Sequence, residues 1–462
     1  MNELLRSLKR KDAFFLIVGN IIGIGIFTTT GYIAQYISSA SAMIVLWIFG
    51  GILTFCGGMT YSELSTRFPL AGGDVHFLSR AFHPILGYLF GWACFVVMYT
   101  GSIAVISVGF SQYLLNLFPE NWQAYSLSIP ILGYTLSVIK ILAILVVFLF
   151  TYLNTFGIRY GARWQNIFTM SGLLVLLVFI LLGFSSDQAN WHHFFANSSM
   201  QSTTPDLISG IGVALVGIFF TYSGWTVIVY IAGEIKNPEK TIPQSMFLGV
   251  LTVTLLYILI QMVYILALPI SQMRDIIDIG YQVLLILQGS RLSQFFLAMI
   301  LLAILSTLNA TILSGARIYF ALARKNQFLK KVGETHRKHH SPTNALWLQF
   351  FWTTVLILSG SFNQLLTYTV FVMVLFGCLS GIGLFLLRKK FGLPDSVSPA
   401  WGYPVVPIIY VAATAFILVN TLFTRPVESF FGVGIVLLGV PFYFYFQKVH
   451  KAKSVSAELQ EW

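Results

Sequence analysis

Gly19-Asn20-Ile21-Ile22-Gly23-Ile24-Gly25-Ile26-Phe27 and Phe220-Thr221-Tyr222-Ser223-Gly224-Trp225 are the two stretches on which the reading of this chain turns. Each sits near the middle of an apolar run long enough to cross a bilayer, at a depth where a membrane helix is ordinarily regular. Glycine weakens a helix by about 1 kcal/mol relative to alanine, and backbone freed at that depth must be satisfied by something other than lipid. In transporters built from inverted repeats, helices interrupted at corresponding positions of the two halves point to the binding site. These two stretches fall in the first and sixth apolar runs, five apart, as that arrangement requires. A single GxG would carry little, because glycine in membrane helices often marks close packing; the pairing gives it weight.

The rest of the chain supports a bilayer setting. Of 462 residues 57% are hydrophobic and only 9% charged, against about 25% charged in water-soluble domains. Runs of roughly 17 to 25 apolar residues number twelve: 13–36, 39–59, 85–115, 136–156, 164–184, 207–232, 246–270, 292–323, 345–359, 365–387, 405–423 and 430–446. Residues 271–289, with Arg274, Asp275 and Asp278 ahead of an apolar half, read as an outer helix lying along the surface. With no separate soluble segment, residues 1–462 form one membrane domain.

The net charge of +11 is no sign of nucleic-acid binding, because its distribution follows membrane topology. With a cytoplasmic N-terminus, all but Lys140, Arg274, Arg291 and Arg425 of the 27 basic residues fall on the inner side, the positive-inside pattern. An even number of spans then puts both termini in the cytoplasm. The first run lacks a small-residue cleavage site and reads as a retained helix. Cys56, Cys94 and Cys378 all lie within spans, so no disulfide framework is expected. The sequon at Asn197 falls in an outer loop.

At these motifs the chain resembles the amino acid-polyamine-organocation superfamily, and within it the L-type amino acid transporter and exchanger family. Besides the two glycine-bearing stretches, the resemblance rests on Glu63-Leu-Ser-Thr-Arg-Phe-Pro-Leu-Ala-Gly-Gly73, Gly233-Glu-Ile-Lys-Asn-Pro-Glu-Lys-Thr-Ile-Pro243, Ser306-Thr-Leu-Asn309, Arg317-Ile-Tyr-Phe-Ala-Leu-Ala-Arg324 and Gly402-Tyr-Pro-Val-Val-Pro407. It implies an all-α membrane fold of twelve transmembrane helices, five plus five in inverted repeat with two outside it, and helices one and six unwound at mid-membrane. It also implies alternating-access transport of amino acids, as an exchanger or facilitator in the cell (plasma or inner) membrane.

An unwound helix pair suits a zwitterion, since each break leaves unpaired N–H and C=O groups beside helix-dipole ends. The substrate carboxylate is expected against the N–H groups of Gly23, Ile24 and Gly25. The ammonium is expected at carbonyls near Ile22 and from Phe219 to Thr221, with Ser223 and Gly224 completing the site. Asp and Glu are missing from the centres of the spans, which favours a neutral substrate. Glu63 and Glu234, at inner helix ends, read as solvated or loop-pairing groups outside the site. By resemblance, Phe220 is the aromatic gate that closes over substrate and Trp225 the tryptophan one turn along. Ser223 narrows the side-chain pocket, with Phe371 and Met373 as walls.

Two departures from the family pattern bear on mechanism. Gly172 stands where many relatives carry a helix-five lysine, which leaves room for a sodium ion bound by carbonyls near Gly19 and Ile22 and by the hydroxyls of Ser306 and Thr307. The alternative is that these hydroxyls only bond between helices. Sodium or proton symport is therefore a second reading, and no other cofactor or metal is expected. The outer loop 116–131 has no cysteine, so no disulfide-linked heavy chain is expected. A membrane-embedded enzyme finds no support, for there is no HExxH, no GxSxG and no mid-span acid or histidine pair; nor does a channel, for want of a charged ring or repeated pore loop.

Overall fold

The computed structural model describes residues 8–69, 72–119, 122, 125–129, 134–156, 172–195, 204–325, 327–336, 341–394 and 397–458. Almost all of them are helical, since within hydrocarbon a helix alone satisfies its peptide groups inside one segment. In chain order the helices are α1 (Arg10–Ile21), α2 (Gly25–Ala34), α3 (Ala40–Arg67), α4 (Asp74–Ala81), α5 (Pro84–Leu115), α6 (Val138–Thr155), α7 (Gly172–Phe184), α8 (Thr204–Tyr222), α9 (Val227–Tyr230), α10 (Pro238–Ala267), α11 (Ile270–Met273), α12 (Ile279–Arg324), α13 (Thr343–Ser359), α14 (Phe362–Phe391), α15 (Val405–Thr424) and α16 (Pro426–Lys448). Eight of these, α3, α5, α6, α10, α12, α14, α15 and α16, are long and apolar enough to cross a membrane; α1 and α2, bent by 42° at their junction, make a ninth between them. Among the shorter apolar helices are α7 and α8. The expected span 164–184 is described only from Gly172, and Asn197 lies outside the described residues.

Outward faces confirm the solvent. Leu145, Leu149 and Leu153 of α6, and Leu251, Leu255 and Leu259 of α10, are exposed at four-residue spacing, apolar stripes that a water-soluble protein would bury. The inward faces pack α3 and α1 along α10, α5 along α12 and α2 along α8. At Gly51, on the α3 side of the first of these contacts, a Cβ would stand 2.4 Å from Thr254 Cγ2, so the small residue permits the approach.

Two features differ from the sequence reading. One is a two-stranded antiparallel ribbon between α5 and α6, β1 (Ser126–Ile129) with β2 (Tyr134–Ser137). The other is residues 271–289, which do not lie along the surface. The Asp275 N–H donates to the Gly31 C=O at 3.2 Å, Gly280 N–H donates to the Tyr113 hydroxyl at 3.0 Å, and Ile279, Val283 and Leu284 are fully buried. Apolar spacing within 279–289 wedges this segment onto the outer end of α2. The helix then breaks at Gly289, where φ is 75°.

Candidate functional site

Helix α1 stops at Ile21 because Ile22 turns to extended backbone, φ −70° and ψ 99°, before α2 restarts at Gly25. Helix α8 stops at Tyr222, and after a four-residue gap the chain makes only the single turn of α9. The breaks face each other at contacts that require glycine. A Cβ on Gly25 would meet Thr221 Cα at 2.8 Å, and one on Gly224 would meet the Asn20 carbonyl oxygen at 2.2 Å; Gly224 also holds φ at 108°. A Cβ on Gly23 would lie 2.9 Å from Thr307 Cγ2 of α12. Thus Gly23, Gly25 and Gly224 are each fixed by a neighbour from another helix.

The freed backbone is partly satisfied by side chains. Tyr257 of α10 donates to the Ile21 C=O at 2.8 Å and lies 3.3 Å from the Thr221 C=O, so one hydroxyl serves both breaks. Ser223 N–H and Oγ both donate to the Phe220 C=O, at 3.0 and 2.6 Å. Thr29 and Thr221 hydroxyls meet at 2.6 Å across the helix pair. Tyr264 donates to the Ile26 C=O at 3.0 Å, and Tyr113 donates to the Phe27 C=O. Among the described residues the N–H groups of Gly23 and Ile24 have no backbone acceptor, and the Ile22 C=O accepts no hydrogen bond.

Between the breaks lies a cavity of about 120 Å³. Of the residues expected at the site, Gly23, Ile24, Gly25, Phe220, Thr221, Ser223 and Gly224 line it. Ile22 and Phe219 do not: Ile22 turns its side chain toward Gly172 of α7, and Phe219 packs on the core. Met373 of α14 is a wall, whereas Phe371 packs toward Gly432 of α16. Of the residues expected around an ion, Thr307 lines the cavity; Gly19, Ile22 and Ser306 do not. Gly172 faces Ile22 and Ala303, where a Cβ would make ordinary contacts at 4.0 and 3.9 Å. Trp225 is buried edge-to-face on Tyr61, ring centres 5.1 Å apart, away from the cavity.

The other walls come from α5 and α12, which the sequence reading did not assign to the site. Helix α5 contributes Met98, Tyr99, Ser102 and Ile106, presented at the end of and just beyond a π-helical turn at Cys94–Met98, a distortion frequent at functional sites. Helix α12 contributes Thr307, Ala310, Thr311 and Ser314. Their spacing of i, i+3, i+4 and i+7 is one helix face, the signal that was available in the sequence. Thr226, Val227 and Tyr230 close the inner end, and among the described residues no Asp, Glu, Lys, Arg or His lines the cavity.

Glu63 is not solvated. Its carboxylate is fully buried and receives Arg388 Nε at 2.8 Å and Nη2 at 2.5 Å, Ala400 N–H at 2.7 Å and Arg67 Nη2 at 3.4 Å. Arg388 also stacks 3.5 Å from the Tyr403 ring centre. The pairing half of the expectation for Glu63 therefore holds, and it knots the inner ends of α3 and α14 to the loop before α15. The three cysteines are free and buried.

A multi-pass helical membrane protein with facing helix breaks around an uncharged mid-depth cavity is built as a transporter. The amino acid permease family description matches residues 8–443, and the chain belongs to that family. Among its relatives, the serine/threonine exchanger SteT of Bacillus subtilis (strain 168) is 27% identical over 97% of this chain and 98% of its own. The large neutral amino acids transporter small subunit 2 of Mus musculus is 30% identical over 95% of this chain and 80% of its own. The Asc-type amino acid transporter 1 of Homo sapiens is 27% identical over 94% and 80%.

Proposed function

We propose that the chain exchanges small neutral amino acids across the cell membrane by alternating access. The observation that carries this is a cavity without an ionisable carboxylate or cation, lined on one side by broken backbone and on the other by hydroxyls. The free N–H groups of Gly23 and Ile24, ahead of the ten-residue helix α2, suit a carboxylate; the Ile22 carbonyl suits an ammonium, while the Phe220 and Thr221 carbonyls are engaged by Ser223 and Tyr257. Ser102, Thr226, Thr311 and Ser314 favour a substrate whose side chain is short and hydroxyl-bearing, in keeping with a relative named for serine and threonine. Phe220 is assigned the closing aromatic. Twelve spans, a five-plus-five inverted repeat and the absence of a disulfide-linked partner belong to this reading. Uptake of labelled serine and threonine into proteoliposomes, with and without unlabelled amino acid inside, tests it; uptake indifferent to internal amino acid rejects exchange.

Sodium symport is a second reading, favoured by the small residue Gly172, which faces Ile22 of α1 and Ala303 of α12 one turn before Thr307. On it, replacing sodium by choline lowers uptake, and Ser306→Ala with Thr307→Ala removes that difference. A dependence that survives both substitutions rejects this ion site.

A further inference from the structure

Asp74, the first residue of α4, is a buried carboxyl group that the transport reading does not use. It is 1% exposed and lies between the spans α3 and α5, on the side of the basic loops. Among the described residues its side-chain partners are all neutral hydroxyls, each from a different helix. Tyr61 of α3 donates to Oδ1 at 2.8 Å, Ser380 of α14 donates to Oδ1 at 2.5 Å, and Tyr230 of α9 donates to Oδ2 at 3.3 Å. No ion pair of Asp74 occurs among the described residues.

The surrounding groups leave it without a counter-charge. Cys94 and Tyr99 of α5 and Tyr410 of α15 face it and are near enough to feel its charge. On α4 itself His76 is partly buried with a partner of its own, and Arg80 lies over Phe68. Lys390 of α14 reaches the far end of α4, donating to the Ala81 C=O at 2.7 Å. Arg388 and Glu63 are bound to each other. Burial pushes the Asp74 carboxyl up to about 6, although the bonds from Ser380, Tyr61 and Tyr230 pull it down.

We propose that Asp74 is a proton-binding site whose occupancy sets how readily the inner side of the substrate cavity opens. The inference rests on the permease reading. Charged, the carboxylate accepts from all three hydroxyls, and bonds to an ionised acceptor are about twice as strong as neutral ones; it ties α3, α9 and α14 together. A proton taken from water on the basic-loop side goes to Oδ2, because Oδ1 already holds two donors. The new O–H then displaces the Tyr230 hydroxyl as donor. Tyr230 lines the cavity, so the proton releases a wall of the substrate site. Trp225, packed edge-to-face on Tyr61, couples the same cluster to the break after α8.

Two readouts on the full chain in lipid test this. The first is the exchange rate with equal pH on both faces, so that no gradient drives it, between pH 5 and 8. The second, independent of transport, is the infrared C=O stretch of a protonated carboxyl group over the same range. The wild-type protein gives one transition in both, with a midpoint near 6. Asp74→Asn lacks the band and its exchange is flat with pH. Ser380→Ala, which removes a donor to the charged form, moves both midpoints to higher pH. A band that titrates while exchange stays constant overturns the link to transport, and a midpoint unmoved by Ser380→Ala overturns the assignment to Asp74. If Asp74→Asn fails to fold, Ser380→Ala alone decides. A titrating band in a protein that moves no amino acid at any pH leaves the proton site standing and removes the permease reading instead.

Discussion

The mid-depth cavity and the inner rim just below it solve opposite problems with opposite chemistry. Around the cavity, among the described residues, no Asp, Glu, Lys, Arg or His is present, and polarity comes from broken backbone and hydroxyls. At the rim, Glu63 and Asp74 are both buried; among the described side chains the first is matched by Arg388 and Arg67, the second by hydroxyls alone. A site that must release its ligand on either side gains from weak neutral dipoles, since a fixed charge at that depth is expensive and binds its partner hard. A rim that must hold one conformation and then let go gains from charge. The difference separates residues that recognise from residues that latch.

The largest effects should come from closing the gap between the breaks. Gly25→Leu drives a side chain into Thr221 backbone at a 2.8 Å contact, and Gly224→Ala strains a positive φ against the Asn20 carbonyl. Both should abolish exchange while leaving insertion and monodispersity in detergent intact, measured by uptake beside size-exclusion profiles. Normal uptake in Gly25→Leu would remove the helix break from the mechanism. Next comes the rim. Glu63→Gln leaves Arg388 without its carboxylate, and breaking a buried pair costs about 3–5 kcal/mol. The measurable result is a lowered midpoint of thermal unfolding, larger than that of Arg67→Lys; equal midpoints would make the knot ornamental.

Smaller still is the effect on recognition. Thr311→Val removes one hydroxyl from the cavity wall without changing its shape. A neutral hydrogen bond contributes about 1 kcal/mol, so the serine-over-alanine preference should fall by about fivefold with little change for alanine itself. A uniform loss for both substrates would place Thr311 in packing. The pH response through Asp74 completes the contrast: it should persist in Thr311→Val and vanish in Asp74→Asn, since one residue recognises and the other latches.

Much of this contrast was legible in the chain. The glycines of residues 19–27 and 220–225 announced the breaks because they fall at mid-span in two runs five apart. Lipid-facing stripes and basic loops likewise follow from solvation alone. The α5 and α12 walls were harder. A threonine or serine inside a helix commonly bonds its own i−4 carbonyl, as Thr311 does to the Thr307 C=O at 2.7 Å, so residue type does not separate a cavity hydroxyl from a helix-internal one. Only the 307, 310, 311, 314 spacing does. Phe371 and Met373 differ by two positions and hence point to different sides of α14, which a motif cannot resolve without the helix rotation. Glu63 read as solvated or loop-pairing, with no partner named, because Arg388 is 325 residues away.

Exchange of amino acids through this cavity is open to direct test. Proteoliposomes loaded with unlabelled serine, or with none, and offered a panel of radiolabelled amino acids under sodium, choline and proton gradients, test it most directly. Small neutral amino acids, serine and threonine foremost, should be taken up and their uptake stimulated by internal amino acid, while lysine and glutamate should be excluded. Failure of every amino acid to accumulate or exchange under any gradient would contradict it.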